Sequence, residues 1–323
     1  MIIIGSRAML PQLDLRNEEI KNRFHKADYD VIMSVEEFGG WTSHNENIIK
    51  SLLPSKENKY KAVLEVNGNR SVYEIELGFE GTSSKFLLDN KVEVCEPNSS
   101  RLSLEYCLLT KKSHLIYPVH FEKNINDYHL LKDILGDFEL TPKMQEYFKL
   151  RSEEAKNRYN QRTPNLNVTT EDFFSSKLNV PHYFVHDDLH EVMAHFDKPI
   201  YTMMQKDSNK AWCEKDMFFQ LPLGYQVKCV QEEAYVIALE RYIIPQYGEN
   251  CNDFFTCYKN AVKRVCTTLC SGWFREFAIE RYVEVIGNYD WQFVDKLRLA
   301  IKEGKIQTIE GKTINDLPKF LRD

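Results

Sequence analysis

Two short apolar runs within the first 33 residues constrain the fold of this chain more than any other feature. The first, Met1-Ile-Ile-Ile-Gly-Ser-Arg-Ala8, breaks at Gly5-Ser6 and predicts a buried strand feeding through a tight turn into a helix. The second, Lys26-Ala-Asp-Tyr-Asp-Val-Ile-Met33, predicts a strand carrying two acids one residue apart. Residues i and i+2 of a strand share a face, so Asp28 and Asp30 project side by side, with Tyr29 and Val31 turned into the core. Carboxylates that close repel each other and shift each other's pKa unless a cation lies between them. A divalent metal supplies that cation, and Mg2+ binds carboxylate oxygens together with substrate phosphates. Backbone N–H groups at the Gly5-Ser6 helix start suit an anion.

A further acid comes from a hairpin. Lys59 to Leu64 and Ser71 to Leu77 alternate around Asn67-Gly68-Asn69, a turn sequence that favours two paired strands. Val72-Tyr-Glu-Ile-Glu-Leu77 places Glu74 and Glu76 on one face, and either can complete an acidic triad.

The order of these parts resembles the nucleotidyltransferase superfamily that includes DNA polymerase beta. Ile4-Gly5-Ser6 matches the apolar strand and Gly-Ser helix start of that family, and Asp28-Tyr29-Asp30-Val31 its Asp-x-Asp strand. The spacer between Ser6 and Asp28 is longer than most members use, so Pro11 and Arg16 to Lys26 have to fit as a loop with a short helix. Gly-Ser-Arg-Ala, Asp-x-Asp and an acidic strand ahead of a helical region are also similar to a group of viral and phage members.

The resemblance implies an α+β chain. An N-terminal nucleotidyltransferase-like mixed sheet with helices would occupy residues 1–138, and an all-helical domain, 139–323, would close over the cleft. It implies Asp28, Asp30, Glu74 and Glu76 as the catalytic acids, with Asp28, Asp30 and Glu76 holding Mg2+ or Mn2+. Gly5, Ser6 and Arg7 would cradle phosphates, joined by Lys111, Lys112 and Ser113. The reaction would move a nucleoside monophosphate from a nucleoside triphosphate to an acceptor, which is an RNA end, a protein or a small molecule.

Composition bounds these expectations. A net charge of −6 and a pI near 5.9 argue against extended DNA or RNA binding, and leave room for a local basic pocket. No apolar run approaches a membrane span, and Met1-Ile-Ile-Ile lacks the charged start of a signal peptide. Eight Cys in 323 residues are too sparse for a disulfide scaffold. The expected location is therefore a reducing cytoplasm, that of the host for a viral member.

Along the chain, Ser34 reads as a helix N-cap, Gly39-Gly40 as a flexible corner, and Asn45 to Leu53 as a short helix ending at Pro54. Gly81-Thr-Ser-Ser-Lys85 reads as a capped turn into a helix, Arg101 to Lys112 as a buried helix, and Pro118 to Leu135 as a helix whose polar residues, His120, Asp127 and His129, are for the most part on the surface. Arg151 to Arg158 reads as an exposed helix. The domain boundary is placed at 136–140, with the loop at 160–170 as the second choice.

A second polar cluster lies in Pro181 to His195. His186 and His190, like Asp187 and Glu191, are four apart, a spacing that on a helix can present metal ligands or an acid–base pair. It supports a rival reading, a metal-dependent phosphohydrolase. A second rival is a non-catalytic viral interaction protein that keeps the fold. Farther on, Lys228 to Ile243 reads as a helix with Gln231, Glu232, Glu233 and Glu240 as polar points, and Phe254 to Tyr289 as one or two helices broken near Ser271-Gly272.

Overall fold

The computed structural model describes residues 1–13, 22–23, 25–56, 58–90, 92–96, 99–116, 120–162, 215–220, 222–243, 254–269, 272–290 and 292. The chain divides into two compact units, 1–162 and 163–323. The division falls after the helix at 142–162, within the second-choice loop and not at 136–140. That helix packs on the sheet unit: its Tyr147 hydroxyl lies 2.6 Å from Thr110 Oγ1, deep in the first core.

The first unit is an α+β layer built on one mixed sheet. Its elements are β1 (Ile2–Ile4), α1 (Gly5–Met9), β2 (Tyr29–Met33), α2 (Val35–Asn45), β3 (Ile49–Lys56), β4 (Lys59–Val66) and β5 (Asn69–Leu77). There follow α3 (Ser83–Asn90), β6 (Glu93–Glu96), β7 (Ser99–Leu102), α4 (Leu104–Ser113), α5 (Phe121–Leu135) and α6 (Pro142–Arg162). The sheet order is β3-β4-β5-β2-β1-β7-β6. β1 runs antiparallel to β2 and parallel to β7, whereas β2 runs parallel to β5.

Local chemistry explains most of these elements. Asn67 and Gly68 both take positive φ, 51° and 81°, which a tight hairpin turn between β4 and β5 requires. Ser34 caps α2 through a reciprocal box: its Oγ accepts from Glu37 N–H, and the Glu37 carboxylate accepts from Ser34 N–H. Gly39 and Gly40 lie inside α2 and form no corner; the cap and the packing of Phe38 and Trp41 outweigh their poor helix propensity.

Residues 49–53 form part of a strand, not the expected helix. Ile49, Leu52 and Leu53 mimic a helical stripe, but β3 lies at the sheet edge, where Pro54 needs no partner for its missing N–H. Residues 99–102 are likewise strand, and the buried helix begins only at Leu104.

The two faces of the sheet differ. Tyr29 stacks on Tyr73 at 4.6 Å, with Trp41 of α2 at 5.4 Å from Tyr73. By the strand alternation Asp30, Ile32, Glu74 and Glu76 point to the opposite face. There α4 is the central helix, buried through Tyr106, Cys107, Leu108 and Leu109, and Ile125, Tyr128 and Leu131 of α5 add to the same core. Full burial of side chains of this kind contributes roughly 1.5–3 kcal/mol each.

The second unit is helical: α7 (Lys215–Gln220), α8 (Leu223–Ile243), α9 (Phe254–Arg264) running into a π-helical turn (Val265–Leu269), α10 (Gly272–Glu280) and α11 (Tyr282–Gly287). Its core stacks Tyr235 on Tyr258 at 4.7 Å and gathers Phe274 and Phe277 around Phe218. Gln231, a polar point on α8, is buried: its Nε2 donates to the carbonyls of Val285 and Asn288 at 3.2 and 2.9 Å. Such bonds offset the cost of burying an amide. Among the described residues, no helix is long and apolar enough to cross a membrane. The cluster containing His186, Asp187, His190 and Glu191 lies outside the described residues.

Candidate functional site

The site grows from the second residue of β2. Asp30 is paired with Ile4 on the antiparallel side and with Glu74 on the parallel side, so it lies between the Gly5 turn and a second acid. Gly5 has φ +65°, and a Cβ built on it would lie 2.3 Å from Asp30 Oδ2. The position needs glycine for its backbone and again for the carboxylate beside it. Gly5→Ala is expected to cost about 2–3 kcal/mol, from a left-handed alanine and a displaced Asp30. Urea denaturation measures this loss, and removing the carboxylate in Gly5→Ala/Asp30→Ala should recover part of it.

Burial pushes the Asp30 pKa up to about 6, and the Glu74 carboxylate and, to a smaller extent, Asp28 push in the same direction. Lys111 and Lys123 oppose the shift. Asp28 is exposed just ahead of the strand, and Glu74 is exposed with Lys61 Nζ 3.6 Å away, a contact of little energetic weight.

Asp30, Glu74 and Glu76 line a cleft of about 330 Å3 together with Gly5, Lys111, His114 and Lys123. The basic side is organised by Asp127, which is fully buried on α5 and not on the surface as expected. Its Oδ2 lies 2.9 Å from Lys111 Nζ, and its Oδ1 accepts from Arg23 Nη2 at 2.5 Å. One acid thus fixes two cations. A second, more open cleft of about 570 Å3 is lined by Ser6, Asn22, Arg23, Lys26, Ala27 and Lys123, so Lys123 borders both.

Glu76, expected as a metal ligand, has both oxygens engaged by protein groups. Oε1 accepts from Ser84 Oγ at 2.6 Å and lies 3.4 Å from Arg151 Nη1, and Oε2 is bonded by Lys59. Arg151, expected on an exposed helix, is 5% exposed; it also reaches Ser83, Glu154 and His114.

The expected phosphate ligands separate. Lys111 lines the acidic cleft and Ser6 the basic one. Arg7 stacks over the Tyr29 ring at 4.1 Å and donates from Nε to the Ala27 carbonyl, on the aromatic face of the sheet. Lys112 approaches the Tyr128 ring at 5.9 Å, and Ser113 Oγ donates to the Thr110 carbonyl. The sequence reading missed Arg23, Lys26, Lys59, Lys123 and Arg151. One signal was available: Asp127 stands four residues before Leu131, on the apolar stripe of its helix.

Among the described residues no group of three or more His, Cys, Asp or Glu is arranged to hold a metal ion. Two adjacent carboxylates with repelling charge nevertheless match what Mg2+ takes from a protein when substrate phosphates and water complete its shell.

A family model described as a domain of unknown function (DUF7275) matches residues 106–297, which is 192 of the 323 residues. The matched span includes Lys111, Lys123 and Arg151 and begins after the acidic strands. No curated protein and no solved structure matches the chain.

Proposed function

The chain belongs to the DUF7275 family, and we propose that its N-terminal unit is a metal-dependent nucleotidyltransferase that moves a nucleoside monophosphate from a nucleoside triphosphate to an acceptor hydroxyl. One observation carries this reading. Asp30, wedged against a glycine turn, faces Glu74 across paired strands in a cleft whose other wall carries Lys111 and Lys123. Mutually repelling acids opposite cations, of which Lys111 is held by a buried carboxylate, are what a site needs if it is to take a divalent ion and a polyphosphate together.

Asp30 and Glu74, with Asp28 at the mouth, would hold Mg2+ or Mn2+. When bound, the metal supplies charge neutralisation and makes an attacking hydroxyl more acidic. Lys111, held by Asp127, and Lys123 neutralise the phosphate chain and orient it in line with the acceptor. Ser84, Lys59 and Arg151 brace Glu76 two residues along β5 and so fix the strand that presents Glu74.

Metal binding needs the ionised Asp30, whose pKa is about 6 in the free protein. The affinity for Mn2+ is therefore expected to fall by up to about tenfold per pH unit below 6, and to level off above it. Calorimetric titration between pH 5 and 8 measures this limb. Transfer of a labelled nucleotide to a panel of RNA, protein and small-molecule acceptors tests the activity; a panel left unlabelled at saturating Mg2+ and Mn2+ would count against it.

A further inference from the structure

We propose that the start of α5, and not the Gly5-Ser6 turn, is the anion subsite of the acidic cleft, and that it takes the terminal phosphates of a polyphosphate chain. This assignment rests on the transferase reading for one point alone, the place of the α-phosphate beside Asp30 and Glu74. The subsite itself is drawn from a buried amide and a helix end.

Asn124 is 8% exposed and lines the cleft, yet its side chain makes no hydrogen bond among the described residues. Around it on the inward stripe of α5 stand Phe121, Ile125 and Tyr128, all buried, a setting in which an unmatched amide costs stability. A phosphate oxygen in the cleft would supply the acceptor that Asn124 Nδ2 lacks.

The end of α5 faces the same space. His120 at its N-cap, and Lys123 and Asn124 just inside, all line the cleft. First-turn N–H groups have no acceptor within their own helix, and His120, at φ 60°, makes no side-chain capping bond to them. A helix of 15 residues adds a developed dipole, whose positive end favours an anion. Lys123 at the surface and the buried Lys111 contribute full charges, and both act on Asp30 against the rise in its pKa. Glu122, the acid of that first turn, is exposed. Two cations at different depths, together with a helix end, suit a chain of several negative charges better than a single one.

The Gly5-Ser6 turn offers less. α1 is only five residues long, and its Gly5 lies against the Asp30 carboxylate, which repels a phosphate at that point. With the α-phosphate beside Asp30 and Glu74, the remaining phosphates extend to Lys111, Lys123 and the α5 start.

Calorimetric titration of sodium triphosphate into the full chain, with chelator in excess, tests the subsite apart from metal and reaction. Binding is expected, weakened by repulsion from Asp30 and Glu74 while no cation lies between them. Asn124→Asp keeps the shape and replaces the donor with a charge; Lys123→Glu reverses a charge at an exposed position. Each should weaken binding by about tenfold or more, and Lys123→Glu should leave thermal unfolding unchanged. Ser6→Ala should bind as the wild type does. Absence of triphosphate binding, binding indifferent to both Asn124→Asp and Lys123→Glu, loss of binding in Ser6→Ala, or sulfate bound as tightly as triphosphate would overturn the inference. Triphosphate held through Asn124 and Lys123, without nucleotide transfer to any acceptor, would leave the inference standing and remove the transferase reading. Transfer whose KM for nucleoside triphosphate is unmoved by either variant would do the reverse.

Discussion

Asp30→Asn is expected to make the protein more stable at pH 8 while abolishing metal-dependent nucleotide transfer. Burial and the acids beside it raise the Asp30 pKa from 3.8 to about 6. The folded protein therefore holds this proton over a pH range in which the unfolded chain has released it. Stability is lost as pH rises from about 4 to about 6, and the loss is complete above that. The rise from 3.8 to about 6 corresponds to about 3 kcal/mol, reduced to about 2 for a group that solvent partly reaches. The asparagine removes the charge and keeps the shape, so thermal unfolding at pH 8 should rise by roughly 4–8 °C. Below pH 4 the two proteins should unfold together. A stabilising substitution that eliminates activity is the mark of a carboxylate kept for chemistry and not for the fold. Asp30→Asn with wild-type transfer, or with lower stability at pH 8, contradicts this account.

Arg151→Met should have the opposite character, with a large loss of stability. The guanidinium is buried and meets Glu76 at 3.4 Å, Ser83 at 3.3 Å, Glu154 at 3.2 Å and His114 at 3.3 Å. Removing one partner of a buried ion pair costs about 3–5 kcal/mol, because the other charge stays in a poorly solvating place. Lys59 still reaches Glu76, so the lower end, about 3 kcal/mol, is expected. Adding Glu76→Gln should recover more than 1 kcal/mol, and a double-mutant cycle from urea unfolding reads that coupling directly. Glu76→Gln alone should retain nucleotide and metal binding where Glu74→Gln loses them. The reverse pattern would return the metal to Glu76.

Much of the fold was legible because its signals are local. Asn67-Gly68 fixes the β4–β5 hairpin through two positive φ values, and Ser34 with Glu37 writes the start of α2 into four residues. The apolar density of residues 104–109 marks α4 as buried on its own. What failed was non-local. Residues 49–53 have a spacing compatible with helix or strand, and only pairing with Lys61 to Leu64 decides between them. The choice between Glu74 and Glu76 depends on register with β2 and on Ser84 and Arg151, the latter 75 residues away. Arg23 and Asp127 meet across 104 residues, so the basic wall had no signature in any window of sequence. Arg7 stands close to Asp30 along the motif but turns to the opposite face, towards Tyr29.

The most direct test of the central claim is calorimetric titration of Mn2+ with a non-hydrolysable nucleoside triphosphate into the wild type, Asp30→Asn, Glu74→Gln and Glu76→Gln at pH 7.5 or so. The account expects coupled binding in the wild type and in Glu76→Gln, and none in Asp30→Asn or Glu74→Gln. Binding of equal affinity in the wild type and Asp30→Asn would contradict it.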